Sequence, residues 1–192
     1  EIPCKGIICH PHKIERSRIF SSNSIYNYLK SQKTECSINT VMKYLDYLEE
    51  AYVIRKIPQY STKAKKKLDF YAKLYNEDVA FNSIRQANGR VDLTHNLENT
   101  VYNELVFMGY VLSVYNINGK EIDFLAGKDG KEFLIQVAYS VAEEQTYERE
   151  FAPFAITDNS RKKILITNDE NDYSTSTVTH IRLKDFLLMR DL

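Results

Sequence analysis

The sequence predicts an α/β (α+β) protein in two parts, a winged helix-turn-helix followed by a mixed-sheet domain. Three observations predict it. Two short amphipathic helices, a strand and a basic hairpin follow one another between residues 21 and 67. A further helix, over residues 97–108, leads into three short strands, with turns predicted at Asn118-Gly119 and at residues 127–130. Helical and strand patterns then alternate to residue 190, which is typical of a sheet covered by helices.

The first part begins with two helices of unequal length. A cap among residues 21–23 precedes a short helix that places Ile25 and Leu29 on one face. Ser37 caps a longer helix. Its apolar stripe consists of Val41, Leu45 and Leu48. Residues 53–60 resemble a strand that leads into a turn, which completes a winged helix-turn-helix with the basic hairpin. Residues 67–81 are expected to connect the two parts, and residues 82–92 to form a loop.

Duplex DNA is one partner that this module predicts. The helix after Ser37 would enter the major groove, and the hairpin lysines would contact phosphates. The predicted DNA-binding residues are Asn39, Lys43, Lys63, Lys65, Lys66 and Lys67. Asp46, Glu49 and Glu50 on the same helix would repel phosphate unless they are turned away. Docking of a partner protein is therefore an equal alternative.

The helix that opens the second part has an apolar stripe and two acidic residues at its edges. The stripe consists of Leu97, Val101, Leu105 and Met108. The helix is expected to stop before Gly109, with Glu98 and Glu104 at opposite edges of the stripe. Either carboxylate could therefore reach a site along the buried face.

Two strands in the stretch KEIDFLAGKDGKEFLIQVAYS, residues 120–140, organise the candidate site. Strict alternation places Glu121, Asp123 and Leu125 on one face of the first strand, and Ile122, Phe124 and Ala126 on the other. On the next strand Leu134, Gln136 and Ala138 share a face. Asp123 and Gln136 are therefore expected on one side of the sheet.

This layout is that of a metal-dependent nuclease without its full set of catalytic groups. Such a site needs an acid on one strand, an acid-x-lysine on the next and often a helix glutamate. Glu98 and Asp123 are in suitable places and could hold Mg²⁺ weakly, but Gln136 and Ala138 replace the second acid and the lysine. The expected site is degenerate. Rescue by Glu121, Glu104 or Lys120 is the alternative.

Composition limits the remaining function classes. The 192 residues carry a formal net charge of zero and 43% hydrophobic residues, enough for one good core or two small ones. No apolar run is long enough for a membrane span or a secretory signal, and three cysteines favour a reducing compartment, so a cytoplasmic protein is expected. Cys4, Cys9, His10 and His12 fit no common closed zinc site, and the sequence assigns them no role.

Several motifs resemble one known family. LENTVYNELVFMGY, GKEIDFLA, FLIQVAYS and YEREFAPF resemble the domain of unknown function that follows the ATPase core in bacterial and archaeal AAA-type ATPases. SINTVMKYLDYLEEAYVIRKIPQYSTKAKKKL and FYAKLYNEDVAF resemble the winged-helix segment of that family. The resemblance covers residues 20–192 and implies a winged helix followed by a restriction-endonuclease-like, PD-(D/E)XK fold. Many relatives carry Glu-x-Lys on the third strand, and Gln136 and Ala138 depart from it.

The resemblance also implies a domain organisation. Residues 1–20 would lead in from a missing ATPase domain, residues 21–85 would form the winged helix-turn-helix, and residues 86–192 the nuclease-like domain. ATP would bind in the missing domain, because none of the six glycines opens a phosphate loop. The expected function is a non-catalytic carboxy-terminal region of an AAA-type ATPase that recognises DNA or a partner protein. The alternatives are an active Mg²⁺-dependent DNA nuclease and a purely protein-binding regulatory region.

Overall fold

Seven strands and five helices are formed by residues 22–61, 66–80 and 93–192, the residues described by the computed structural model. Several residues singled out from the sequence lie outside the described part. They are Lys63, Lys65, the side chains of Lys66 and Lys67, the cysteine and histidine residues before residue 20, and the loop expected at residues 82–92. In chain order the elements are α1 (Ser22–Ser31), α2 (Ile38–Glu50), β1 (Ile54–Ser61), β2 (Lys66–Asn76), α3 (Leu93–Phe107), β3 (Val111–Ile117), β4 (Lys120–Lys128), β5 (Lys131–Val137), α4 (Glu144–Ala155), β6 (Lys162–Thr167), β7 (Val178–Arg182) and α5 (Leu183–Phe186).

The two amino-terminal helices form as the pattern predicts. The Ser37 hydroxyl accepts a hydrogen bond from the Thr40 backbone N–H at 3.1 Å, which satisfies one of the unpaired donors at the start of α2. The helices pack on each other through a small buried cluster. Its members are Ile25, Leu29, Val41, Leu45 and Ile54, with Leu48 partly buried against them.

Strand β2 is the largest departure from the expected elements. Residues 66–76 form a strand of 11 residues, whereas the sequence indicated a connection between two parts. The sequence of β2 does not alternate between apolar and polar residues, because both faces of the strand are covered. Leu74 packs on the α1–α2 cluster, while Tyr75 lies in the main core. Lys73, which is also buried, interrupts the apolar pattern.

All seven strands belong to one sheet, in the order β2-β1-β3-β4-β5-β6-β7. Strands β3, β4 and β5 form an antiparallel meander, while β6 and β7 continue the sheet in parallel. Strand β1 pairs antiparallel with β2 and, over three residues, parallel with β3. The predicted mixed α/β class is confirmed. The sheet runs across the boundary expected at residue 85, and that boundary stays a prediction.

Helices cover both faces of this sheet. On one face α3 packs through Val101 and Leu105 against Phe124 and Ile135. On the other face α4 packs through Phe154 against a second buried cluster. That cluster contains Leu125, Leu134, Ala138 and Leu165. The central strands are therefore apolar on both sides, which explains their nearly continuous hydrophobic runs.

A β-bulge in β4 changes which residues share a face. Ser113 pairs with Leu125 and Tyr115 pairs with Ile122, so three steps along β4 match two along β3. Ile122 consequently lies in the α4-side core, while Phe124 and Ala126 lie in the α3-side core. The prediction that these three residues share a face is wrong. Strict alternation cannot anticipate an extra residue in one strand.

The two hairpins of the meander close where the sequence predicts. Asn118 and Gly119 have φ values of 50° and 81°, the left-handed pair that a two-residue hairpin of matching twist requires. Asp129 and Gly130 repeat this arrangement, with φ values of 49° and 76°. The sequence predicts a closing helix over residues 184–190, whereas α5 comprises only Leu183–Phe186.

Strand β2 is fastened to α3 by an amide side chain. Asn99 accepts a hydrogen bond from the Asn76 backbone N–H at 3.0 Å and donates one to the Asn76 carbonyl at 2.8 Å. Asn103, one turn later, donates to the Glu77 carbonyl at 3.0 Å. Side chains of α3 therefore bond the backbone at the carboxyl end of β2, an edge strand of the sheet. These bonds fix the position of β2 relative to α3.

Among the described residues, none of the helices combines the length and the apolarity that crossing a membrane requires.

We predict that Asn99→Ala lowers the free energy of unfolding by about 2–3 kcal/mol, because it removes two buried hydrogen bonds between the Asn99 side chain and the Asn76 backbone. Urea unfolding followed by circular dichroism measures this. Thr100→Ala is the matched control on the same helix, since the Thr100 hydroxyl bonds only within α3. Equal stability of the Asn99 variant and the control would contradict the role of this contact.

Candidate functional site

Three carboxylates converge on one buried ammonium. Lys73 is 1% exposed, and its Nζ lies 3.0 Å from Glu98 Oε1, 2.5 Å from Glu121 Oε1 and 3.0 Å from Asp123 Oδ1. Glu98 comes from α3, Glu121 and Asp123 come from β4, and Lys73 comes from β2. The structure therefore brings together two of the predicted site residues, Glu98 and Asp123, around a lysine that the sequence analysis did not single out.

The shape of the sheet makes this meeting possible. Lys73 pairs with Ile57 of β1, whose side chain lies in the α3-side core, so the lysine also faces α3. Strands β1 and β3 lie between β2 and β4 in the sheet. The contact with Asp123 is therefore made across two strands, by the tip of the long lysine side chain.

Tyr75 completes the surroundings of Glu98. Its hydroxyl donates a hydrogen bond to Glu98 Oε1, the oxygen that Lys73 also contacts. The Tyr75 ring stacks on Tyr102, with 4.5 Å between ring centroids. Burial, followed by the charge of Glu98, raises the pKa of Tyr75 well above its usual value, so the hydroxyl keeps its proton and acts as a donor.

The second oxygen of Asp123 substitutes for a strand partner. Asp123 Oδ2 accepts a hydrogen bond from the Val137 backbone N–H at 2.9 Å. The β4–β5 register of paired residues ends at Phe124 and Ile135, so the two strands separate beyond this point. The carboxylate occupies the opening and satisfies a buried donor that would otherwise lack a partner.

Gln136 lies beside Asp123 but outside the group of carboxylates. Its Oε1 accepts from the Asp123 backbone N–H at 3.3 Å, and its Nε2 donates to Glu150 Oε2 on α4 at 2.6 Å. Arg149 bonds the other oxygen of Glu150. The expectation that Asp123 and Gln136 face the same side is corrected by the β4 bulge. The Asp123 carboxylate reaches the α3 side, whereas Gln136 bonds to α4.

Burial shifts the ionisation of these groups. Burial first, and then the charge of Asp123, raises the pKa of Glu98 to about 7, although Lys73 and Tyr75 lower it. Burial also raises the pKa of Glu121. Burial by itself lowers the pKa of Lys73. Its neighbours have the opposite and larger effect, so the pKa of Lys73 lies well above its usual value. These neighbours are, in order of effect, Tyr75, Asp123, Glu98 and Glu121. Lys73 is therefore a permanent cation.

A metal ion does not fit this site while Lys73 is in place. The ammonium lies at the point where the three carboxylate oxygens meet, which is where a cation would bind. Over the described ranges, no group of three or more acidic, histidine or cysteine side chains is arranged to hold a metal ion. Of the three residues that could have rescued the degenerate site, Glu121 contacts the Lys73 ammonium. Glu104 and Lys120 are not among its carboxylate contacts.

The predicted DNA-binding residues that the structure describes lie on one exposed face of α2. Asn39 and Lys43 are exposed and one turn apart, so their side chains point the same way. Lys56 of β1 bonds two acidic residues of the same helix, Asp46 at 2.6 Å and Glu49 at 2.9 Å. Part of the negative charge of α2 is therefore neutralised within the protein.

Sequence reasoning missed Lys73, Tyr75 and Glu150. A signal for Lys73 was present, because it interrupts a stretch rich in aromatic and apolar residues, and a buried ammonium needs acidic partners. Glu150 gave no comparable signal, since a glutamate in a charged helix is usually exposed. Its burial depends on Gln136, which is distant in sequence.

Comparison with known proteins relates the chain to two families without an assigned function. Residues 93–186 match a "Domain of unknown function (DUF4143)", which is therefore present here, and residues 12–86 match a "Domain of unknown function (DUF8612)". Lys73 thus comes from the first matched segment and the three acids from the second. No solved structure matches the chain.

Two curated relatives are uncharacterised proteins. One, from Haemophilus influenzae, is 36% identical over 152 residues, which cover 78% of this chain and 37% of that protein. Another, from Methanocaldococcus jannaschii, is 34% identical over 163 residues, which cover 78% of this chain and 35% of that protein. The chain therefore spans about a third of the length of the curated relatives it matches.

We predict that stability falls as the pH rises through 7, because Glu98 must then ionise in a buried site. The folded-state pKa of about 7 lies above the ordinary 4.5, so the stabilising contribution is fully present below pH 4.5 and is lost as the pH rises from there through 7. Between pH 6 and pH 8 this group alone removes about 1 kcal/mol. Glu98→Gln, which cannot ionise, should lack this loss.

Urea unfolding at both pH values tests this, with exposed Glu144→Gln as the matched control. Other groups titrate in the same range, and their effects cancel when each variant is compared with the wild type. An unchanged pH dependence in the Glu98 variant would contradict the prediction.

Proposed function

We propose that this chain is the non-catalytic carboxy-terminal region of an AAA-type ATPase and that it recognises duplex DNA. The non-catalytic part of this proposal is supported by the residues that occupy the candidate site. Gln136 and Ala138 occupy the places of the second acid and the lysine, and the Gln136 amide bonds the Asp123 backbone and Glu150. Neither a glutamine amide nor an alanine methyl group can take a proton from a water molecule.

The scaffold supports a nuclease-like origin. Helix α3, the β3–β5 meander, α4 and the parallel strand β6 follow one another in the order that the restriction-endonuclease-like, PD-(D/E)XK resemblance implies. The strands also separate at Asp123, where that resemblance places the chemistry. We interpret the arrangement as a nuclease scaffold that has lost its catalytic groups and retains its geometry.

Lys73 does not replace the lost lysine. A general base must be able to give up its proton near neutral pH, and the pKa of Lys73 lies well above its usual value. Its ammonium also bonds three carboxylates, so it is not free to orient a nucleophile. The lysine neutralises the site, and we assign it no part in phosphodiester cleavage.

The surface of α2 supports DNA as the partner. Asn39 and Lys43 are exposed and aligned, and amide and ammonium groups are suited to base edges and phosphates. The pairing of Lys56 with Asp46 and Glu49 reduces the repulsion that these acids would exert on DNA. The helix α2 would then approach the groove, with the β1–β2 hairpin beside it.

Recognition of a partner protein is the second candidate, and exposed apolar side chains favour it. Met42 is 44% exposed, Tyr47 57% and Tyr52 69%, on or directly after α2. Methionine and tyrosine are enriched at protein interfaces. Strong binding of DNA would make this candidate unnecessary, because both partners would use the same helix.

The proposal assigns ATP hydrolysis to another part of the full protein. The aligned region is only about a third of each curated relative, so the remainder can hold an ATPase domain. DUF4143 at residues 93–186 is consistent with the resemblance to the region that follows such a domain.

We predict that the purified chain does not cut plasmid DNA in Mg²⁺ or Mn²⁺ above the level of an Asp123→Ala variant, because Gln136 and Ala138 replace the second acid and the lysine, and the Lys73 ammonium lies between Glu98, Glu121 and Asp123. Agarose gel electrophoresis of supercoiled plasmid measures nicking. Cleavage that Asp123→Ala abolishes would refute the non-catalytic assignment and favour an active nuclease.

We predict salt-sensitive binding to duplex DNA, weakened about 10-fold or more at 0.1 M salt by the triple change of Lys65, Lys66 and Lys67 to Glu, because three phosphate contacts would be lost. Fluorescence anisotropy with a labelled duplex measures this.

A matched control changes exposed Lys131, Lys162 and Lys184 to Glu, which alters the net charge equally at another surface. Equal weakening by both triple variants would indicate a general charge effect. No binding to duplex DNA at low salt would instead favour the protein partner.

A further inference from the structure

We propose that the Lys73 ammonium holds the place of a divalent cation, so that Glu98, Glu121 and Asp123 form a metal site whenever this side chain is removed. This inference goes beyond DNA recognition and does not depend on it. It explains why a nuclease-like scaffold can keep its acidic residues without binding metal.

The charge balance favours a cation at this point. The three carboxyl groups share the Lys73 ammonium as their common cation, and its removal would leave them without one. A divalent ion at the same point would supply one positive charge more than the ammonium and would balance a larger part of the carboxylate charge. Because buried charges of one sign repel strongly, the empty cluster would attract a hard cation from solution.

The carboxylate oxygens are already directed at one point. They lie 2.5–3.0 Å from the Lys73 nitrogen. Calcium binds carboxylate oxygens at about 2.3–2.6 Å in a flexible geometry, so the oxygens need to move inward by about 0.7 Å or less. Magnesium requires about 2.0–2.1 Å and a near-ideal octahedron. We therefore expect Ca²⁺ and Mn²⁺ to bind before Mg²⁺.

The acids are held independently of the lysine. The Val137 N–H bonds the second oxygen of Asp123, and the Tyr75 hydroxyl bonds Glu98. Removal of the ammonium would therefore leave these two carboxylates oriented. In the wild type the ammonium is held in place by its own contacts, because it is buried and bonds all three carboxylates.

Thermal unfolding of the Lys73→Met variant in CaCl₂ or MnCl₂ tests the proposal. We expect about 5 mM of either salt to raise the Tm of this variant by about 5 °C or more, since an ion that binds only the folded state stabilises it. The wild type and the exposed-lysine control Lys162→Met should not respond. Adding Asp123→Asn to the Lys73 variant should abolish the response.

Two further measurements cover a variant that does not fold without an ion. Lys73→Met is refolded in CaCl₂, and a second variant that combines Lys73→Met with Glu98→Gln carries one buried charge fewer. If neither variant gains stability from Ca²⁺ or Mn²⁺, the proposal is overturned. It is also overturned if Mn²⁺ broadens the amide signals of Asp123 and Val137 in NMR spectra of the wild type, because the ammonium would then not exclude the metal.

Discussion

A single buried ammonium is the constraint on which the candidate site depends. Lys73 is removed from water, and its desolvation would be too costly without the carboxylates of Glu98, Glu121 and Asp123 around it. The reverse also holds, because these acids need a positive charge to remain together in the protein interior. Such a group specifies position more than it adds stability. It ties β2 to α3 and β4, and therefore connects the two segments that match different families.

The same interaction relates the fold to the proposed function. Strands β4 and β5 separate at Asp123, and an ammonium occupies the centre of the acids there. Gln136 bonds to α4 and Ala138 lies in the apolar core, and the proposed function assigns neither a catalytic role. The proposed binding surface on α2 is separate from this cluster. Recognition could therefore persist while cleavage was lost.

Much of the fold was predictable because local rules agree with the tertiary structure. The Ser37 cap, the stripe from Leu97 to Met108 and the hairpin at Asn118–Gly119 depend on nearest neighbours and appear as expected. Strand β2 was missed because both of its faces are covered, which removes the alternation that identifies a strand. The prediction of which β4 residues share a face was wrong because a bulge inserts one residue into the strand. A bulge has no reliable signature in a single sequence.

The sequence by itself determined the mixed α/β class, and it singled out Glu98 and Asp123 and the absence of a second acid and lysine at Gln136 and Ala138. These conclusions follow from residue type and short-range spacing. Only the tertiary structure decided that Glu98, Glu121 and Asp123 meet, that Lys73 lies between them, and that Gln136 bonds to α4 instead. The physical reason is distance along the chain. Lys73 and Asp123 are 50 residues apart, and the pairing of β2, β1, β3 and β4 in one sheet brings them together.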